Sequence, residues 1–86
     1  MTNIDFKKII QAGVDEAVAE LKKEMDNEKI DKAVKTIDAV NMITEVVQNT
    51  IKNINSDPEK LGEQAIRNMA KESAKAAILG GVKALG

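Results

Sequence analysis

The sequence predicts an all-α protein: a small three-helix unit built on an antiparallel helical hairpin, which assembles into oligomers. Apolar residues recur at spacings of three and four, as on one side of an α-helix. The single proline lies in a segment suited to a turn. The 86 residues, 1–86, form one domain with a small interior. Because cysteine and histidine are absent, disulfides and metal sites built on these residues are excluded, which leaves self-association as the common reinforcement.

Helix 1 is predicted at about 4–26, with Thr2 as its N-cap and Asp5 completing a capping box. Gly13 lies inside this helix, where it either lets a neighbouring helix approach closely or is simply tolerated at roughly 1 kcal/mol. The apolar stripe of helix 1 consists of Ile10, Val14, Val18, Leu21 and Met25.

A break is predicted near Asp26, with Asn27 as the N-cap of the next helix. If helix 1 continued, its apolar stripe would pass through the charged residues Glu28 and Lys32. The alternative is one continuous helix of about 50 residues, some 75 Å long.

Helix 2 is predicted at about 28–54. From Val40 onward more than half of its circumference is apolar, so it needs neighbours on two sides and should be the central helix. Three polar residues lie on or beside its apolar side, where they either fix the register or oligomer state as buried groups or mark a solvated edge. They are Asn41, Thr44 and Gln48.

The turn between helix 2 and helix 3 is predicted at Ser56, Asp57 and Pro58. Proline suits the first helical position, which makes Asp57 the N-cap, or Ser56 if a capping box forms with Glu59. The chain should fold back here in a tight antiparallel turn.

Helix 3 is predicted at about 58–79 or further, with Gly80 and Gly81 either ending it or allowing a bend, and with a face of small residues packed closely against helix 2. On its other side, Arg67, Lys71 and Lys75 form a cationic stripe. This stripe is either a surface for phosphates or a solvated helix face, and the solvated face is favoured. The acidic residues of helix 1 likewise either meet the lysine-rich face of another copy or are solvated, and solvation is again favoured.

The apolar tail, 78–86, has no cover in this arrangement. From residue 76 to the end there is one charge in eleven residues, and Ile78, Val82 and Leu85 fall on the side that is polar in the preceding turns. We therefore expect a partner to cover the tail. The residues predicted to mediate self-association are Ile78, Leu79, Val82, Leu85, Met42 and Val46.

Two short stretches resemble families of self-assembling proteins. Ser56-Asp57-Pro58, with Leu61 following, resembles the hairpin turn of type III secretion needle subunits. Ile43-Thr44-Glu45, together with Asn68-Met69 and the alanine-rich run after it, is similar to R-body ribbon subunits, with a gap between the two segments. Both resemblances are local and imply self-assembly, but neither assigns the chain to a family.

The amino-acid composition argues against several classes of function for this chain. A net charge of −1 and a single aromatic residue, Phe6, do not suggest that the protein binds nucleic acid. The sequence contains no run of about 20 apolar residues, so a membrane partner is not expected. The N-terminal residues lack the pattern of a Sec signal peptide, so the location expected is cytoplasmic, or outside the cell by another export route. Without His, Cys or a nucleophile motif, we expect neither enzymatic activity nor a cofactor.

The function predicted is therefore that of a non-enzymatic, self-associating helical protein: a subunit of a homo-oligomer or filament, or a small assembly factor. One alternative is a small adaptor or inhibitor, of phage or plasmid type, that binds another protein through an apolar helix face. A third is a peripheral membrane binder that uses the apolar tail.

Overall fold

The structure, a computed structural model, describes residues 5–54 and 58–85. Within these ranges it contains α-helices and no strand, which confirms the predicted all-α class. The helices are α1 (Phe6–Glu24), α2 (Asn27–Ile37), α3 (Ala39–Asn53) and α4 (Pro58–Leu85).

The N-termini of α1 and α2 are capped by aspartates, each at a different residue from the one predicted. Asp5 caps α1, and its carboxylate accepts a hydrogen bond from the backbone N–H of Lys8 at 3.2 Å. The predicted cap, Thr2, lies outside the described residues. Asp26, not Asn27, caps α2 by accepting the N–H of Glu28 at 2.9 Å. Aspartate is among the best N-caps because its oxygens satisfy amides that have no partner inside the helix.

The predicted break between helix 1 and helix 2 is confirmed, and the single long helix is wrong. Met25 is fully extended, with φ −133° and ψ 166°, so α1 ends at Glu24 rather than near residue 26. The short connection keeps charged side chains out of the apolar stripe.

A second break, at Asp38, corrects the prediction of one helix over 28–54. Asp38 adopts the left-handed conformation, with φ 50° and ψ 60°, and its N–H donates to the carbonyls of Val34 and Lys35. Aspartate tolerates this conformation better than most residues because its short polar side chain bonds locally. Here its carboxylate accepts a 2.7 Å hydrogen bond from the Asn41 side chain.

The break at Asp38 changes which residues enter the core. The spacing of a continuous helix would bury Val40, but the left-handed residue rotates α3 relative to α2. As a result Ala39 is only 2% exposed, whereas Val40 is half-buried.

Helix α4 begins at Pro58 and continues to Leu85, so of the two predicted ends, near residue 79 or further, the structure has the later one. The glycines that could have ended it are helical, and Gly81 packs so closely against α2 that a Cβ there would lie 3.2 Å from the Ala33 Cβ. The helix is interrupted instead at Gly62, one turn after its start, where φ is 82° and ψ is 160°. The predicted caps Ser56 and Asp57 lie outside the described residues.

Helix α4 occupies the central position predicted for helix 2, because each of the other three helices packs more extensively against α4 than against any other helix. Beyond the interruption at Gly62 it continues for 23 residues, or about 35 Å of helix, which is most of the 44 Å long axis of the molecule. The two helices α1 and α4 run in the same direction, since Gly13 lies against Ala70 and Glu20, further along α1, pairs with Lys75.

The core lies between the helices and receives apolar side chains from all four. Among the described residues no polar or charged residue is buried. The buried apolar residues are Ile9, Ile10, Val14, Ala17, Leu21, Ile30, Ala33, Ala39, Ile43, Val47, Ile51, Ile66, Ala70, Ala74, Ile78 and Val82.

Candidate functional site

Gly13 is the point of close contact between α1 and α4. A Cβ built on it would lie 2.6 Å from the Ala70 Cβ and 2.7 Å from the Arg67 carbonyl oxygen. Real Cβ atoms do not approach backbone so closely, so any larger residue would push the helices apart. Of the two roles considered for this glycine, close approach by a neighbour is confirmed.

Beside this contact, two acids of α1 meet three cations of α4 in what we term the charged seam: Glu16, Glu20, Arg67, Lys71 and Lys75. The Glu20 carboxylate forms salt bridges with two lysines, at Nζ–O distances of 2.6 Å to Lys71 and 2.5 Å to Lys75. The Arg67 Nε lies 3.8 Å from a carboxylate oxygen of Glu16.

The seam shifts the pKa values of two residues, Glu20 and Lys71. Hydrogen bonds from Lys71 and Lys75 lower the pKa of Glu20 from 4.5 to about 2. The hydrogen bond to Glu20 in turn raises the pKa of Lys71 above 10.5. Each partner favours the charged form of the other.

The cationic stripe of α4 therefore faces α1 of the same chain, instead of lying on an open solvated face as favoured from the sequence. Glu16 and Glu20 correspondingly meet α4 of their own chain. The side chains of Lys71 and Glu20 are 26% and 40% exposed, so solvent screens the attraction and its contribution to stability is modest. The seam orients α1 on α4 and leaves no free row of cations there for a phosphate.

The seam also explains why part of the apolar tail is covered. Ile78 and Val82 lie two helical turns beyond Lys71 and Lys75, on the same side of α4. That side faces into the molecule, so Ile78 is fully buried and Val82 is 8% exposed. The expectation that a monomer exposes these two residues is wrong.

The remaining residues predicted for self-association differ in exposure. Met42 is half-buried against the core. Leu79 and Val46 are each 38% exposed, and Leu85 is 47% exposed. Leu79, Leu85 and Val46 are therefore the members of the predicted set that remain accessible.

Leu79 lies on an exposed face of α4 that we term the outer face: Glu72, Ala76, Leu79, Gly80 and Lys83. Their spacings of four, three, one and three place them on one side of the helix, and each is exposed. A Cβ built on Gly80 would meet nothing within 4 Å. The outer face is thus apolar or small at its centre, with a carboxylate at one end and an ammonium at the other.

Val46 has different surroundings. The exposed residues next to it on α3 are polar or charged, so it is a single apolar side chain on a polar surface, which is common in soluble proteins. These neighbours are Glu45, Gln48, Asn49, Thr50 and Asn53.

The three polar residues singled out on helix 2 lie at a solvated edge. Asn41 and Gln48 are exposed, and Thr44 is half-buried with its hydroxyl donating to the Val40 carbonyl at 2.7 Å. They line a shallow groove together with Phe6 and Lys7 of α1. Of the two roles considered for them, the solvated edge is supported.

Two features of this surface were not recognised in the sequence. The pairing of the cationic stripe with α1 had its signal in acidic residues four apart on α1 and basic residues four apart on α4. The outer face had none, because which side of α4 is exposed depends on how the other helices pack.

Among the described helices, none is both long enough and apolar enough to cross a membrane. Comparison of the chain with protein-family models, with curated proteins and with solved structures gave no match. The resemblances to needle and ribbon subunits therefore remain local.

Proposed function

We propose that this protein is a non-enzymatic building block that associates with further copies of itself through the outer face of α4. In this proposal α3 and α4 form a helical hairpin, and α1 is fastened to it by Gly13 and the charged seam. The hairpin presents the outer face as the contact surface of a homo-oligomer.

The observation that carries the proposal is the composition of α4 from Ala76 to its end. On the outer face the exposed residues in this stretch are Ala76, Leu79 and Gly80, with Lys83 as the single charge. A helix face that remains in water normally carries charged residues, as α4 does in its first half. An exposed apolar surface bounded by charges is typical of a contact with another protein.

A second copy suits this surface better than a strongly charged partner. The net charge of −1 produces little long-range repulsion between copies. Glu72 and Lys83 make no ion pair with a described residue, so each is available to the opposite charge of a second copy.

The proposal is tested by sedimentation equilibrium of the full chain from micromolar to millimolar concentration. We expect the average mass to rise with concentration. Leu79→Lys should suppress this rise, because it places a charge at the centre of the contact. Val46→Lys is the matched control, since Val46 is equally exposed at 38% but has polar neighbours.

Each other outcome points elsewhere. A wild-type protein that stays monomeric throughout contradicts the proposal. If that monomer also binds a foreign protein stoichiometrically, the adaptor alternative takes its place. If it co-sediments with lipid vesicles, the peripheral membrane binder does. Equal suppression by Leu79→Lys and Val46→Lys would mean that the contact is not the outer face.

A further inference from the structure

We infer that two copies pair through their outer faces as an antiparallel α4–α4 contact, with a two-fold axis passing between Ala77 and Ile78. This inference rests on the self-association proposed above and adds its geometry. The arrangement is isologous, so the same surface on each copy meets itself.

The positions of the charges support this symmetry. Glu72 and Lys83 lie at equal distances on either side of the proposed axis. In an antiparallel pair Glu72 of each copy therefore faces Lys83 of the other, giving two ion pairs at the rim. In a parallel pair in register, Glu72 would face Glu72 and Lys83 would face Lys83, which is repulsive.

The apolar centre obeys the same symmetry. Ala76 and Leu79 are also equally far from the axis, so each leucine lies opposite the alanine of the other copy. Side chains on a helix lean toward its N-terminus. Across an antiparallel pair, the Leu79 side chain of one copy therefore leans away from Ala76 of the other copy and toward Gly80 of that copy. Ala76 and Gly80 are both small residues. The leucine thus fills a depression between them.

Gly80 has no packing role within one chain. A glycine in an exposed helix interior costs roughly 1 kcal/mol relative to alanine. Gly13 and Gly81 each lie against a neighbouring helix. A Cβ built on Gly13 would lie 2.6 Å from an alanine Cβ, and one built on Gly81 would lie 3.2 Å from another, whereas one built on Gly80 would meet nothing within 4 Å. A second α4 at this position gives Gly80 the same role as the other two.

The Gly80→Leu variant tests the dimer contact without disturbing the fold of the monomer. The larger side chain meets nothing within the chain and has a better helix propensity, so the monomer should melt at the same or a higher temperature. In the dimer it fills the depression that receives Leu79, and we expect self-association to weaken by about tenfold or more. Ala19→Leu, on an exposed position of α1, is the control that adds the same side chain elsewhere.

Cysteine cross-linking tests the direction of the helices, because the natural chain contains no cysteine. Glu72→Cys and Lys83→Cys proteins are oxidised separately and as a mixture. The antiparallel pair predicts a disulfide-linked dimer in the mixture only, since the two positions face each other across the contact.

The outcomes distinguish this inference from the proposal on which it rests. A wild-type protein that remains monomeric overturns both. A wild-type oligomer that is unaffected by Gly80→Leu, or that cross-links when either cysteine variant is oxidised alone, overturns the geometry and leaves self-association standing. An oligomer with no cross-link in the mixture also overturns the geometry.

Discussion

Gly13 of α1 lies directly against Ala70 of α4, with room for a hydrogen atom but none for a methyl group, since a Cβ built on the glycine would lie 2.6 Å from the Ala70 Cβ. This contact brings the acids of α1 within reach of the cations of α4. Close packing and ion pairing therefore act at the same place, and together they fix α1 on the central helix.

Gly13→Ala should destabilise the protein by about 1–3 kcal/mol, because the added methyl group overpacks the contact. Gly80→Ala, at an open helical position, should instead stabilise it by about 0.5–1 kcal/mol. Urea unfolding at a concentration where the protein is monomeric measures both. A Gly13→Ala protein as stable as the wild type would mean that α1 and α4 are further apart than described.

At Asp38, whether glycine or alanine gives the more stable variant depends on the backbone conformation. In the left-handed conformation Asp38→Gly should be more stable than Asp38→Ala by about 1–2 kcal/mol. If α2 and α3 were one continuous helix, Ala would instead be better than Gly by about 1 kcal/mol. Comparing the two variants by urea unfolding decides between these structures.

Gly62 should not tolerate a side chain. Its backbone, at φ 82° and ψ 160°, lies in a region that is essentially restricted to glycine, although a Cβ there would meet no neighbour. Gly62→Ala should therefore destabilise the protein by about 1–3 kcal/mol through backbone strain alone. Thermal melting that shows a stabilised variant would indicate an uninterrupted start to α4.

The charged seam predicts how stability depends on pH. The pKa of Glu20 is about 2 in the folded protein, below its ordinary value of 4.5. Its contribution to stability is thus present above pH 4.5 and is lost as the pH falls toward 2. The pKa of Lys71 is raised, so its contribution is present below pH 10.5 and is lost as the pH rises through the folded value.

The Glu20→Gln substitution removes the contribution to stability that is lost in acid. The variant should be less stable than the wild type near neutral pH, and the difference should shrink as the pH falls from 4.5 toward 2. Glu24→Gln, at the end of α1, is a control because Glu24 makes no ion pair with a described residue. A difference between wild type and Glu20→Gln that stays constant across this range would show that the pairing is absent.

The sequence was sufficient to predict the helical class and the break before α2, because continuing helix 1 would have placed Glu28 and Lys32 on an apolar stripe. It was not sufficient for the break at Asp38. No glycine or proline stands there, and Ala39 and Val40 fit a core position equally well in composition. Only the left-handed backbone of Asp38 decides which of the two is buried.

The burial of Ile78 and Val82 differs from the prediction for a physical reason. In the sequence, Lys71 and Lys75 indicate a solvent-facing side of helix 3, which predicts that Ile78 and Val82 on the same side are exposed. The lysines instead face the acids of α1, and lysine can do so while its ammonium remains partly in water. The exposed part of the site, around Leu79 and Gly80, could be located only once the packing of all four helices was known.

Whether a second copy covers the outer face of α4 is seen most directly in the concentration dependence of the backbone amide chemical shifts of the full chain. From micromolar to millimolar concentration the amides of Ala76, Leu79 and Gly80 should shift together, while that of Val46 stays in place. Shifts confined to α3, or none at all, would exclude the outer face as the contact between copies.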